Sequence, residues 1–141
     1  MPVEQLIEAY MADQPEPKQT DIRTVHEAIQ YLSPGCRLWF TDGKNEHGKV
    51  VANPNIGYGE YTIRYKDGTT KEFFRIGLSA NTSGLSVYVM GLPDKGYLKA
   101  NFSQSIGKAS ITGYCIKFKR LKDIDLDALC RAVSYGFDQS S

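Results

Sequence analysis

Arg64, Arg75 and Lys108 are the cations best placed to hold an anion, and Trp39, Tyr58 and Tyr88 are the aromatics best placed to wall a site around it. A guanidinium presents a fixed fork of N–H donors that matches a carboxylate or phosphate. Aromatic walls with a few polar anchors describe a small-molecule pocket. Arg64 and Arg75 flank the turn at Asp67-Gly68 and fall opposite the apolar phase of Tyr61, Ile63, Phe74 and Ile76. If that apolar phase meets helices, the arginine face is open or lines a groove. The competing reading buries Trp39 and the tyrosines and leaves both arginines in solvent.

Other chemistry-bearing residues lack partners at useful spacing. His26 and His47 have no Cys-x-x-Cys beside them, so a structural zinc site is not expected. His26 borders an apolar helix stripe and reads as hydrogen-bonded and part-buried. Cys36, Cys115 and Cys130 are odd in number and far apart, which suits free thiols. Cys36 falls in a surface turn and is the thiol expected to react first. Cys115 shares a strand face with Lys117, and Cys130 lies on an apolar helix stripe; both read as packing.

Gly107-Lys108 lacks the flanking glycines and the Ser/Thr of a phosphate-binding loop, yet a lysine after a glycine near a strand can hold an anion. Lys117, Lys119, Arg120 and Lys122 form a basic run whose aromatic, Phe118, points to the other face. Nucleic-acid binding wants aromatics and cations on one face, so none is expected. No acid–base pair or triad can be named, and a non-catalytic role is expected.

Charge is unevenly spread. Residues 1–32 carry six acids against two bases, a net −4, and the remainder carries fifteen bases against ten acids, a net +5. That polarity either guides a charged partner or marks two solvated faces.

The elements follow from periodicity. Val3, Leu6, Ile7, Tyr10 and Met11 make one helical stripe, and Ile22, Val25, Ile29 and Leu32 a second, ended by Ser33-Pro34-Gly35. Arg37 to Thr41 reads as a short strand. Tyr61 to Tyr65, Phe73 to Leu78 and Leu85 to Met90 alternate around turns at Lys66-Asp67-Gly68-Thr69 and Asn81-Thr82-Ser83-Gly84, which predicts a three-stranded antiparallel meander. Tyr97, Leu98 and Phe102 line a short helix. Ile111 to Lys119 reads as one strand with Tyr114, Ile116 and Phe118 on one face. Asp123, Asp125 and Asp127 open a last helix with the stripe Leu126, Leu129, Cys130 and Val133. Only Asp138-Gln139-Ser140-Ser141 reads as loose.

In Ile56-Gly57-Tyr58-Gly59 a tyrosine is held between two glycines, which suits the floor of a packed sheet or the lip of a pocket. Helices bracketing strands imply an α+β fold, an antiparallel sheet packed against N-terminal and C-terminal helices, in a single domain over 1–141. No run of about 18 apolar residues occurs, so no membrane span is expected. Met1-Pro2-Val3-Glu4 lacks the basic and apolar regions of a signal peptide, so none is expected there.

Read in order, Trp39, Ile56-Gly57-Tyr58-Gly59, Tyr65, Ile76-Gly77-Leu78-Ser79, Leu85-Ser86-Val87-Tyr88, Gly107-Lys108, Tyr114-Cys115-Ile116-Lys117-Phe118 and Leu121-Lys122-Asp123-Ile124-Asp125 resemble the YdhG-like family, domain of unknown function 1801. The chain departs from the family pattern between Trp39 and Ile56, where it is longer. The resemblance implies a small cytoplasmic bacterial α+β domain. Some members are similar to frataxin and described as iron chaperones. By that likeness Glu4 and Glu8, at i and i+4 on the first helix, would offer hard oxygen ligands to iron. The expectation is thus a non-catalytic module for a small anionic ligand, without a cofactor, as a monomer or weak homodimer. Its partner would be that small molecule or another protein. The alternative is a frataxin-like iron chaperone.

Overall fold

In a computed structural model residues 2–139 are described; Met1, Ser140 and Ser141 lie outside them. Four helices lie with a six-stranded antiparallel sheet, and a separate two-stranded sheet stands beside it. The protein is therefore α+β.

The helices are α1 (Val3–Ala12), α2 (Lys18–Leu32), α3 (Tyr97–Phe102) and α4 (Leu126–Phe137). The expected stripes bury Ile7 and Met11 on α1, and Ile22, Val25 and Ile29 on α2. Asp125 caps α4 by accepting from the N–H groups of Asp127 and Ala128, as an N-terminal aspartate should. The buried face of α4 is Ala128, Leu129, Ala132, Val133 and Gly136, turned from the expected stripe, so Cys130 is only half-buried. Small side chains there let the helix lie close to the sheet.

The strands are β1 (Leu38–Thr41), β2 (Asn55–Tyr58), β3 (Tyr61–Arg64), β4 (Thr70–Phe73), β5 (Ile76–Asn81), β6 (Gly84–Val89), β7 (Ser110–Thr112) and β8 (Cys115–Phe118). The main sheet runs β1-β2-β5-β6-β8-β7, and β3 pairs only with β4. Ile56, Tyr58, Ile76, Leu78, Leu85, Val87 and Ile116 are buried in the core with the apolar faces of α1, α2 and α4.

Two expectations change. The meander is interrupted, because the run from Phe73 to Leu78 breaks at Phe74-Arg75 and β5 pairs with β2 instead of continuing from β4. The strand from Ile111 to Lys119 is a hairpin, β7 and β8, turning at Gly113-Tyr114. Tyr114 is therefore not beside Ile116 and Phe118 in the core but 37% exposed. Asp138 and Gln139 are tied in, since Arg75 Nη2 donates to the carbonyl of Gln139 at 3.1 Å. The rest of the tail expected to be loose falls outside the described residues. No helix among the described residues is long and apolar enough to cross a membrane.

Candidate functional site

Strand register sets the face of the sheet away from the helices. One row across it reads Trp39, Gly57, Gly77, Tyr88, Cys115 and Thr112. The parallel row continues through Ser79, Ser86, Lys117 and Ser110. Trp39 and Tyr88 do share this face, but an aromatic ring lies between them. Phe74 fills the gap: a Cβ on Gly57 would lie 2.6 Å from Phe74 Cβ, and one on Gly77 would lie 2.7 Å from its ring. Phe73 packs on Phe74 at 4.0 Å between centroids and meets Trp39 edge-on at 6.2 Å. Trp39 Nε1 donates to the Gly59 carbonyl at 2.7 Å, and the Arg37 guanidinium lies 3.7 Å from the Trp39 ring centroid.

The two arginines expected to share an open face do not. Arg64 pairs with Thr70 in the β3–β4 hairpin and is exposed. Arg75 sits in the link between the sheets, 2% exposed, and donates to the carbonyls of Met90 and Gly91 at 3.1 and 3.4 Å as well as to Gln139. Hydrogen bonding of a buried guanidinium to backbone carbonyls is a folding role. Tyr58 is fully buried.

Tyr58 ends instead at His26, its hydroxyl 2.6 Å from Nδ1. His26 opens onto a groove of about 200 Å³ between α1 and α2, where Glu4, Glu8, Glu27 and Arg23 also lie. Glu8 is engaged by Arg23 at 2.8 Å, and that hydrogen bond holds its carboxyl below the usual value. Among the described residues no three His, Cys, Asp or Glu side chains gather as a metal site, so Glu4 and Glu8 gain no third ligand.

Burial pushes the pKa of His26 down, against the opposing pull of Glu27 and Glu8. The unfolded chain therefore takes up this proton first as pH falls. The stabilisation is complete above the ordinary value of 6.5 and is lost as pH drops through it towards the folded value. Melting temperature should fall more steeply from pH 7 to pH 5 in the native protein than in His26→Gln. Equal slopes would remove His26 from the account.

The thiols are not activated. Burial pushes up Cys36, Cys115 and Cys130 alike, with Lys117 only partly offsetting this at Cys115. Cys36 is half-buried against the core, not in an open turn.

A different cluster does assemble. A groove of about 480 Å³ opens at one end of the sheet, where the β5–β6 turn, the end of β8 and the lead into β7 meet. Lys108, Lys117 and Lys119 surround it with Ser83 and Ser110, over an apolar floor that includes Leu85 and Phe118. Lys117 lies in register between Ser86 and Ser110. Strand alternation carries Lys119 to the same side two residues on. Lys108 is fixed by its backbone, whose N–H donates to the Asp123 carbonyl at 3.0 Å. No Asp or Glu lines the groove. Among the described residues none of the three lysines has an ion pair.

Of the residues expected from the sequence to bind the ligand, only Lys108 belongs to this groove. Lys117 and Lys119 were visible as an alternating basic run. What placed them beside Lys108 is the β7–β8 hairpin, which the single-strand reading hid. Compared with known proteins, the chain matches no family model, no curated protein and no solved structure.

Proposed function

We propose that this protein is a non-catalytic module that binds a small anionic ligand in the groove of Lys108, Lys117 and Lys119. One observation carries the reading: three lysines that form no ion pair among the described residues converge on an apolar-floored groove that contains no carboxylate. Like charges brought together repel, and an anion among them relieves that repulsion. Ser83 and Ser110 add hydroxyls that can donate to its oxygens. Among the described residues no Ser–Lys hydrogen bond forms in the groove, so the reading assigns no nucleophile there.

A thermal-shift screen of inorganic phosphate, sugar phosphates and dicarboxylates tests this. A ligand held only by the folded state at about 100 times its Kd adds about 2.7 kcal/mol, which raises the melting temperature visibly. The shift should shrink with added salt, as screening shortens the reach of the lysines. No shift with any anion at millimolar concentration, in low salt, would sink the reading.

A further inference from the structure

A second groove, of about 170 Å³, adjoins the first. Pro17, Lys18, Thr82, Ser83, Gly84, Lys119 and Arg120 line it, so Ser83 and Lys119 belong to both. This groove also contains no carboxylate. Its own two cations are held in place. Lys18 Nζ donates to the Asn81 carbonyl at 2.6 Å, and Arg120 Nε donates to the buried Asp21 at 3.0 Å. Asp21 also accepts from the N–H of Leu121 at 3.1 Å, which fixes the chain just after Arg120.

The wall between the grooves is thin for a steric reason. Gly84 has φ +138°, and a Cβ there would lie 2.3 Å from the Phe118 carbonyl oxygen and 2.6 Å from Lys119 Cα. Only glycine lets the β5–β6 turn lie down on the end of β8. The two grooves thereby meet across a low saddle of Ser83 and Lys119.

We infer that the ligand carries two phosphate groups on a short spacer, one group in each groove and the spacer across the Ser83–Lys119 saddle. The inference rests on the anion-binding reading above and adds a ligand class to it. Charge supports two groups over one. Lys18, Lys108, Lys117, Lys119 and Arg120 bring five positive charges, and Asp21 takes back one, for a net +4. A phosphate monoester carries about −1.5 to −2 near neutral pH. One such group leaves half of the site's charge unanswered, and two nearly cancel it.

The test compares inorganic phosphate with a hexose bisphosphate by calorimetry at constant ionic strength. The bisphosphate should bind about 100-fold more tightly, because its second group binds intramolecularly. Lys18→Gln should remove most of that advantage and weaken inorganic phosphate at the second groove alone, leaving the Lys108 and Lys117 groove occupied. Lys119→Gln, at an exposed side chain shared by both grooves, should weaken both probes. A melt of each variant confirms that it folds. Equal affinity for the two probes, or a bisphosphate indifferent to Lys18→Gln, overturns the two-group inference. Anion binding itself then stands if phosphate still depends on Lys117. Failure of both probes to bind overturns both.

Discussion

Replacing Lys117 by glutamate should lower affinity for a phosphate-bearing probe about 100-fold, and replacing Lys108, Lys117 and Lys119 together by alanine should abolish measurable binding. A hydrogen bond to a charged group is worth about 10-fold to 100-fold in affinity. Charge reversal adds repulsion to that loss. Lys117 is central because it lies in register between two serines, while Lys108 precedes β7 and Lys119 follows β8. All three side chains are exposed, so the variants should melt near the native temperature. Lys71→Glu and Arg64→Ala change exposed charge on the β3–β4 hairpin, outside the groove, and should leave affinity within about twofold. Native-like binding by the triple variant would move the site elsewhere. A loss equal to that of the two hairpin controls would reduce the effect to net charge.

Gly57→Ala should destabilise the fold by about 2–3 kcal/mol, the upper part of the usual penalty for overfilling a packed site. The new Cβ would fall within 2.7 Å of three Phe74 atoms. Phe74 is only 4% exposed and is held by Phe73, so it cannot simply swing aside. For a chain of this length the melting temperature should drop by roughly 5–10 °C. In a Phe74→Ala background the same substitution should cost much less, since the clashing ring is gone; that non-additivity is the signature. Gly68→Ala is the comparison. Its Cβ meets nothing within 4 Å, and the left-handed φ of +89° adds only backbone strain, on the order of 1–2 kcal/mol. A Gly57→Ala protein that melts with the native one would show that the ring relaxes freely.

Local patterns made the architecture legible. Helical stripes at Ile7 and Met11 and at Ile22, Val25 and Ile29, the Asp125 cap and the turns at Asp67-Gly68 and Ser83-Gly84 all depend on nearest neighbours along the chain. What periodicity could not show is which strand lies beside which. Phe73 to Leu78 alternates without a break, yet Arg75 turns out of the strands to bond carbonyls far away in sequence. Likewise Gly113 looks like one small residue within a strand, and the pairing of β7 with β8 makes it a turn. The site suffered from the same limit. Arginines and aromatics drew attention by type, but Arg75 and Tyr58 are spent on the interior. The groove of lysines exists only because a hairpin and a distant turn meet at one end of the sheet.

The pairing of β2 with β5 encloses the whole β3–β4 hairpin. Tyr58 and Ile76 are register partners, and everything from Gly59 to Arg75 is the loop between them. Closing a loop costs entropy that grows with its length, by about 0.6 kcal/mol for each doubling. A hairpin formed first takes most of that length out of play, because its two ends already lie side by side. The long-range closure of β2 on β5 thus inherits its shortness from a local one outside it. By this nesting, the turn at Lys66 to Thr69 bears on how quickly the chain can pair β2 with β5, although it belongs to neither strand.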